Sequence, residues 1–311
     1  MSEIIVVGSM NMDLMMSTRV VPNAGETVLG DNFYTDCGGK GANQAIAAAK
    51  LGAKVTMIGN VGDDTYGEIM CANLQKYQVA TSGVTVCEQQ SSGVAMIILS
   101  EGDNRIIVNG GANALLRPET VQKHSEIFAN GSIVLAQLEI PLETVKYTFD
   151  LAKENGCATV LNPSPVCKLP KELLECTDIL ILNEHEAAVL TEVPVNTVED
   201  AKCVIPRIRD WGVKEVILTL GERGCVYSEE DTVRFCPARK VQAVDTTGAG
   251  DSFCGAFLSA IAEAKPMEEA IDFATVVSSI TVTRKGTSTS FPTLEEVKIM
   301  KMKEGTEYEI S

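Results

Sequence analysis

The 311-residue sequence lacks the patterns that mark zinc proteins and membrane proteins. Its ten cysteines include no C-x-x-C pair, and only two histidines, His124 and His185, accompany them, so zinc-site spacing is missing. The longest apolar runs, such as residues 4–7 and 179–182, are far too short to cross a bilayer, and the start Met1-Ser2-Glu3 has no basic region. We therefore expect reduced thiols packed as small apolar side chains, in a cytoplasmic protein.

Positive charge is also scarce, because 26 Lys and Arg against 42 Asp and Glu leave a formal net charge of -16. A surface potential of this sign repels phosphate backbones and anionic lipid, so we expect no nucleic acid and no membrane among the partners. A small phosphorylated ligand can still bind through local backbone dipoles. The remaining composition is that of an ordinary globular protein, and the length suits one large core, so we predict a single domain over residues 1–311.

Short apolar runs alternate with longer amphipathic segments along most of the chain. The strand-like runs are residues 4–7, 55–58, 133–136, 158–161, 179–182 and 216–219. Helical length and spacing are found at 42–51, 142–155, 198–211 and 252–264, and Gly52, Gly156 and Gly212 mark helix ends. Because parallel strands need crossovers that cover both faces, we predict a three-layer α/β/α fold with a mostly parallel sheet.

Two regions break this rhythm. Residues 12–37 are punctuated by Pro and Gly and show no long helical period. Within residues 93–108, strand-like runs at 94–99 and 105–108 flank Glu101-Gly102-Asp103-Asn104, which is typical of a β-hairpin. We predict that these two insertions pair into a small β-sheet that projects from the body as a lid or a dimer surface.

The segment Asp245-Thr246-Thr247-Gly248-Ala249-Gly250-Asp251 precedes a helical run that we predict to begin at Ser252. Small residues here allow successive backbone N–H groups to converge at a helix N-terminus, where the dipole favours an anion. Asp251 would stand beside that anion and accept a hydroxyl proton, as in-line phosphoryl transfer to an alcohol requires. A glycine-rich turn capped by Asp is the alternative, against which the two flanking carboxylates argue.

A second glycine-rich segment, Gly38-Gly39-Lys40-Gly41-Ala42-Asn43, leads into an alanine-rich helix. Glycines allow close backbone approach to a ligand, while Lys40 and Asn43 supply donors suited to hydroxyl groups. A tight turn before a helix is the alternative. The segment is not a Walker A loop, because G-x-x-x-x-G-K-[ST] occurs nowhere in the sequence.

Polar residues also follow two of the predicted strands, where ligands sit in α/β sheets. Asn11 and Asp13 follow the first strand and could bind vicinal hydroxyls, with an Asx turn as the alternative. Asn183 and Glu186 follow the strand at 179–182 and could orient waters around a magnesium ion. The alternative for this pair is a helix cap with a glutamate at its third position.

As a set, these segments resemble the ribokinase family of carbohydrate kinases over residues 4–292. Both glycine-rich segments match family signatures, at residues 38–43 and 245–251. The resemblance implies the family's α/β/α fold and the transfer of the γ-phosphoryl group of ATP to the 5-hydroxyl of D-ribose. It also implies magnesium, activation by a monovalent cation, usually potassium, and a homodimer formed through the lid.

The resemblance further implies a role for each matching residue. The catalytic base is Asp251, and the anion hole is Gly248, Ala249 and Gly250. The sugar-binding positions are Asn11, Met12, Asp13, Gly39, Lys40, Gly41, Asn43 and Glu139, together with Asp251. The ATP-binding positions are Asn183, Thr219, Leu220, Gly221, Glu222, Arg223, Gly224, Gly250 and Thr275. Glu186 matches the position linked indirectly to magnesium, and the monovalent-cation positions are Asp245, Thr247, Thr281, Arg284, Gly286 and Ser290.

Other functions stay open on the sequence alone. A kinase for 2-deoxyribose, or for another sugar or nucleoside, would share almost every segment quoted above. Deoxyribose-specific relatives tend to carry Met at the position of Asn11, and a polar group that binds a hydroxyl penalises the analogue lacking it, so ribose is favoured. A non-catalytic sugar-binding protein is a third interpretation, against which the retained Asp251 and its glycines argue.

Overall fold

The structure, a computed structural model, describes residues 1–100 and 103–308. Glu101 and Gly102, in the predicted hairpin turn, lie outside the described residues. The strands are β1 (Ile4–Val7), β2 (Asn11–Ser17), β3 (Asn32–Gly38), β4 (Val55–Gly62), β5 (Ala80–Cys87), β6 (Gly93–Ser100), β7 (Asp103–Asn109), β8 (Ile133–Ala136), β9 (Ala158–Leu161), β10 (Ile179–Asn183), β11 (Glu215–Thr219), β12 (Gly224–Glu229) and β13 (Thr232–Pro237). The helices are α1 (Lys40–Lys50), α2 (Thr65–Lys76), α3 (Pro118–Gln122), α4 (Leu142–Glu154), α5 (Lys171–Glu175), α6 (Glu184–Thr191), α7 (Val198–Arg209), α8 (Ala249–Ala262), α9 (Met267–Thr281) and α10 (Leu294–Tyr308).

A nine-stranded sheet forms the body, in the order β13-β12-β11-β10-β9-β8-β1-β4-β5. The strands from β11 to β5 are parallel, and β12 and β13 add an antiparallel pair at one edge. All six strands predicted from apolar runs are present. The mostly parallel sheet is therefore confirmed, and the antiparallel edge is an addition that the sequence pattern did not indicate.

Helices cover both faces of this sheet, as predicted. Successive side chains of a strand point to opposite faces, and in β1 Ile4 and Val6 pack into one apolar cluster while Ile5 and Val7 pack into another. The first cluster includes apolar residues of α1, α8 and α9, and the second includes those of α4 and α7. The central position of β1 explains why all four of its side chains are fully buried.

Glycines end three of the predicted helices with a left-handed backbone, since φ is 92° at Gly52, 70° at Gly156 and 105° at Gly212. Two helix starts differ from the prediction, and the first is that of α1, which begins at Lys40, two residues before the predicted position 42. Helix α8 begins at Ala249, three residues before the predicted Ser252, because Gly248 takes the N-cap position with φ 75° and ψ 2°. The end of the glycine-rich segment thus forms the first turn of the helix.

The two regions that break the βαβ rhythm pair into a separate four-stranded sheet, the lid sheet, in the order β3-β2-β6-β7. Strands β2 and β6 are parallel, whereas β3 and β7 are antiparallel to their neighbours. Strand β2 begins four residues after β1 ends, so the root of the lid sheet lies beside the carboxyl end of β1. Strand β7 is exposed along its whole length.

In residues 1–100 and 103–308, no helix is both long and apolar enough to cross a membrane. The ten cysteines are free thiols, of which Cys157, Cys225 and Cys254 are buried.

Candidate active site

A cavity of about 210 Å³ lies at the carboxyl ends of β9, β10 and β11, where an α/β sheet offers a crevice to ligands. Its lining combines predicted phosphate-side and nucleotide-side residues with others that the sequence did not single out. The lining residues are Lys40, Asn162, Ser164, Ile181, Leu182, Asn183, Glu186, Thr219, Thr246, Gly248, Ala249, Gly250, Asp251 and Cys254.

The first turn of α8 offers backbone donors to this cavity. The N–H of Ala249 donates to Thr246 O at 3.2 Å. The N–H groups of Gly250 and Asp251 find no acceptor among the residues that the structure describes. A side chain at Gly250 would meet no atom within 4 Å, because the residue faces open space. Free N–H groups, the helix dipole and open space together suit an anion.

Asp251 lies in this same turn and is held by two side-chain amides. Asn43 Nδ2 donates to its Oδ2 at 3.0 Å, and Gln44 Nε2 donates to its Oδ1 at 2.9 Å. The residue is only 9% exposed. Burial raises the pKa of Asp251, while Lys40 and the two amides act against that rise. The result is an oriented carboxylate with a strengthened affinity for a proton, next to the free N–H groups.

Lys40 brings positive charge to the cavity. Burial disfavours the ammonium group, yet the carboxylates of Asp251, Glu139 and Glu186 outweigh that effect and raise the pKa of Lys40. The side chain therefore stays charged at neutral pH, and it faces the space beside the α8 donors. A phosphate group there would be neutralised by the Lys40 ammonium group as well as by the α8 donors.

Asn11 is oriented by a residue that the sequence did not single out. Asn113 Nδ2 donates to Asn11 Oδ1 at 2.8 Å and to Met10 O at 2.9 Å, and Met10 N donates to Asn113 Oδ1 at 3.0 Å. Because the main chain fixes which way the Asn113 amide points, Asn11 must present its oxygen to Asn113. The NH₂ group of Asn11 is thereby left to donate to a ligand hydroxyl.

Asp13 lies two residues further along β2, directly opposite Asp36 of β3. Burial, together with the nearby charges of Asp36, Glu139 and Asp251, raises the pKa of Asp13 to about 7. A cluster of carboxyl groups suits a polyhydroxylated ligand, whose hydroxyl protons relieve the repulsion.

Glu139 connects three parts of the site. Its Oε2 accepts from Ser9 Oγ at 2.5 Å and from the backbone N–H of Lys40 at 3.0 Å, so it joins the segments after β8 and β1 to the start of α1. Its other oxygen takes no bond within the described part of the chain. The buried Oδ1 of Asn43 is likewise without a partner there. Buried polar groups seldom stay unsatisfied, so the Asn43 amide is suited to a ligand hydroxyl, and the unpaired carboxylate oxygen of the half-buried Glu139 can accept from another.

Asn183 and Glu186 form a reciprocal helix cap and also line the cavity. Asn183 N donates to Glu186 Oε2 at 3.0 Å, and Glu186 N donates to Asn183 Oδ1 at 2.8 Å. The capping interpretation is thus realised at the start of α6. A capping role is compatible with a role in the site, because both residues also line the cavity.

The other predicted nucleotide-binding residues lie at or beyond the edge of the cavity. Thr219 lines it, but residues 220–224 do not, and Arg223 forms an ion pair with Glu184 at 3.2 Å. Thr275 is buried, donates to Ile271 O at 2.9 Å and lies 3.7 Å from Cys236 Sγ. It is next to a second groove of about 830 Å³ between β13 and α9.

The predicted cation positions come together beside the start of α8. Asp245 accepts from Thr247 N at 2.9 Å and from Gly286 N at 3.1 Å, and its own N–H donates to Val282 O at 3.1 Å. The hydroxyl groups of Thr281 and Ser290 both donate to main-chain carbonyls, while Arg284 forms an ion pair with Glu296. Residues 1–100 and 103–308 hold no group of three or more His, Cys, Asp or Glu side chains suited to a metal ion.

The sequence interpretation missed Gln44, Gln137 and Asn162, which are linked to one another and to Asp251 by hydrogen bonds. The sequence positions of two of these residues could have indicated them as site candidates, because Gln137 directly follows β8 and Asn162 directly follows β9. The rule that selected Asn11 after β1 selects these residues as well. Asn113 offered no such signal, since it comes close to Asn11 only through the fold.

The pfkB family carbohydrate kinase model matches residues 1–294. The chain is 42% identical to the ribokinase of Schizosaccharomyces pombe, covering 96% of this chain and 97% of the relative, and 36% identical to the deoxyribokinase of Salmonella typhi, covering 94% and 97%. A solved structure of Arabidopsis thaliana ribokinase complexed with ribose and ATP superimposes with a TM-score of 0.90 at 33% identity, covering 95% of this chain and 97% of the other. This chain therefore belongs to the pfkB family of carbohydrate kinases.

Proposed function

We propose that the protein transfers the γ-phosphoryl group of ATP to the 5-hydroxyl of D-ribose. The observation that carries this proposal is the position of Asp251 in the first turn of α8, beside two free N–H groups and Lys40. A base, an anion site and a fixed cation in one cavity are what phosphoryl transfer to an alcohol needs. The similarity to relatives named ribokinase adds support for ribose.

The residues divide the work between the sugar and the phosphate. Asn11, Asp13, Asn43 and Glu139 would bind ribose hydroxyls and point the 5-hydroxyl at Asp251. The carboxylate takes the hydroxyl proton as the oxygen attacks. The α8 N–H groups and Lys40 then stabilise the negative charge that spreads over the transferring phosphoryl group.

Magnesium would be held mainly by the phosphates of ATP and by water, as is usual for this ion. Glu186 fits an indirect role, because it is buried, lines the cavity and uses only one carboxylate oxygen in the α6 cap. The ion would supply charge neutralisation at the phosphates.

A monovalent cation would be held by the segments around Asp245 and Gly286, and we propose potassium. The fit lies in the donor chemistry, because Asp245, Thr247, Thr281, Arg284, Gly286 and Ser290 offer mostly carbonyl and hydroxyl oxygens, which suit a large, weakly hydrated ion. The carboxylate of Asp245 already ties the two segments together. A cation there would fix the backbone that carries the anion site.

We further propose that the lid sheet closes over the sugar and forms a homodimer. Met16, Phe33, Met96 and Ile107 lie on the face opposite Asp13, as the strand registers show, and all four are exposed. An apolar sheet face of this kind needs a cover, and a second copy of the same sheet is a symmetric one. Hydrogen exchange in residues 12–37 and 93–108 should slow when ribose binds, and unchanged exchange would contradict closure.

We also propose a cytoplasmic location, because free cysteines are typical of a reducing compartment.

The test of the proposed function is ATP consumption with ribose or 2-deoxyribose as acceptor, with and without potassium. We expect ribose-dependent ADP formation that potassium stimulates, and a ribose 5-phosphate product. ADP formation that is independent of any sugar would contradict the proposal.

A 2-deoxyribose kinase is the second candidate, because the similarity to the Salmonella typhi deoxyribokinase is 36% over nearly the whole chain. Asn11→Met discriminates between the two, since it removes the donor that the structure leaves facing the sugar. If Asn11 binds the 2-hydroxyl of ribose, the ratio of kcat/KM for ribose over 2-deoxyribose should be at least ~10-fold lower in Asn11→Met than in the wild type. An unchanged ratio would show that another group recognises this hydroxyl.

A further inference from the structure

Two consecutive residues of α1 hold the two oxygens of Asp251, and they do so in different ways. Asn43 Nδ2 donates to Oδ2 at 3.0 Å, and Gln44 Nε2 donates to Oδ1 at 2.9 Å. All three side chains are buried. The two amides differ in whether they can flip, that is, rotate so that the NH₂ group and the oxygen exchange positions.

The amide of Gln44 is locked by a chain of buried amides that ends on the main chain. Asn162 Nδ2 donates to Ile181 O at 2.9 Å, and since a carbonyl can only accept, Asn162 must turn its Oδ1 towards Gln44. Gln44 Nε2 donates to this Oδ1 at 2.9 Å, and Gln137 Nε2 donates to Gln44 Oε1 at 2.7 Å. Turning Gln44 over would set oxygen against oxygen at Asn162. Gln137 adds nothing to this lock, because its own Oε1 is buried without a partner in the described part of the chain and its amide can turn together with that of Gln44.

The amide of Asn43 has no such lock. Its Oδ1 is buried without a hydrogen-bond partner in the described part of the chain. It can therefore donate to an ionised Oδ2 or, after turning over, accept from a protonated one. Gln44 can only donate to Oδ1, which must therefore stay unprotonated whether Asp251 is ionised or carries a proton on Oδ2.

We infer that Gln44 is a positioning residue that keeps Oδ1 of Asp251 as a permanent acceptor, so that Oδ2 is the atom that takes the substrate's proton. The inference rests on the proposed kinase function. In the step, the hydroxyl O–H bond breaks and its proton moves to Oδ2. The electron pair of the hydroxyl oxygen forms the new bond to the γ-phosphorus of ATP, and the bond from that phosphorus to the bridging oxygen breaks with its pair leaving on ADP.

Other charged or titratable groups face Asp251 and must stay constant in a test. They are Lys40 at the start of α1, Glu139 after β8, Asp13 on β2 and Cys254 one turn along α8. Substitutions at Gln44 or Asn162 leave all four in place. A change in the titration of Asp251 then reports the amide alone.

The experiment measures the titration of Asp251 from its ¹³Cγ signal in aspartate-labelled protein, with the signal assigned by its loss in Asp251→Asn. Gln44→Met keeps the length of the side chain and removes the donor. Since a hydrogen bond to a carboxylate favours its charged form, the midpoint should rise by about one pH unit or more. The acid limb of the pH profile of kcat should move up with it, whereas a purely structural loss would lower kcat at every pH without moving the limb.

Three further variants sharpen the test. Asn162→Leu removes the acceptor that fixes the Gln44 amide and lets it turn over, so the midpoint should move in the same direction by less. Asn43→Leu should shift the titration midpoint of Asp251 by less than half as much as Gln44→Met does. The reason is that the Asn43 amide can donate to the ionised carboxylate or accept from the protonated carboxyl group, and so stabilises neither state strongly over the other. Gln75→Met, on the exposed surface of α2, is the matched control and should move nothing.

An unchanged midpoint in Gln44→Met would overturn the inference. If Gln44→Met does not fold, an unchanged midpoint in Asn162→Leu would overturn it instead. Equal shifts in Asn43→Leu and Gln44→Met would overturn the assignment of Oδ2. A wild-type protein that does not phosphorylate ribose would overturn the proposed function instead, and the titration of Asp251 would still decide whether its carboxylate is held asymmetrically.

Discussion

The nine-stranded body and the four-stranded lid sheet differ in how their apolar side chains are covered. In the body, helices of the same chain bury both faces of the sheet, and β1 has no exposed side chain. In the lid sheet, Ile107 is 67% exposed and Phe33 is 56% exposed. The body buries the apolar side chains of its central strand, whereas the lid sheet leaves large apolar side chains exposed. The proposed catalytic turn of α8 thus lies in the packed body, and the proposed closure is assigned to the less completely packed lid sheet.

The largest expected effect separates the chemistry of the body from closure of the lid. Asp251→Asn preserves shape and removes the proton acceptor, so turnover should fall by ~10² to 10⁴-fold. Ribose should still slow hydrogen exchange in the lid strands. Steady-state kinetics on this variant measures the turnover, and hydrogen exchange on the same variant measures the closure of the lid. Activity within a few-fold of wild type would exclude Asp251 as the base.

The next effect compares two phenylalanines. Phe149→Ala opens a cavity in the body, where the side chain is 0% exposed, and should lower the free energy of unfolding by about 3 to 5 kcal/mol. Phe33→Ala on the lid should change it by less than about 0.5 kcal/mol. Trp211, the one tryptophan of the sequence, lies in the body and reports urea unfolding of this part. Equal losses would show that the lid packs as firmly as the body.

The proposed dimer gives the third prediction. Ile107→Asp places a charge on the apolar face of the lid sheet and should weaken self-association by at least ~100-fold, since an unpaired charge is costly to bury. Ile69→Asp is the matched control, because Ile69 is 45% exposed on α2 of the body. Light scattering should show dimers for the control and monomers for Ile107→Asp. A wild-type monomer would contradict the dimer itself.

The effect that is smallest per measured step, one pH unit, concerns Asp13, a lid residue that is buried. Its pKa is about 7 in the folded protein and about 4 in an unfolded chain. Folding takes up a proton between these pH values, so the free energy of unfolding should fall as pH rises from about 4 to about 7, by up to about 1.4 kcal/mol per pH unit. Asp13→Asn should flatten this slope, and Asp31→Asn, on the exposed part of the lid, should not. Urea denaturation without ribose measures both.

The fold could be predicted well wherever one periodicity held over a whole segment. The runs at 4–7, 133–136 and 158–161 became strands with the same bounds, because buried parallel strands consist of continuous apolar residues. The start of α8 was wrong by three residues, since glycines permit several backbone paths and only the packed structure selects one. The antiparallel edge formed by β12 and β13 had no comparable signal.

The sequence by itself determined the α/β class, the two insertions and the residue types of the site, because these depend on local pattern and on chemistry that a side chain carries anywhere. Only the tertiary structure decided which atoms meet. Gln44 touches Asp251, 207 positions away, and Asn113 orients Asn11, 102 positions away. Contacts of this kind follow from strand order and register, which arise from the packing of the whole chain and leave no trace in the spacing of the residues concerned.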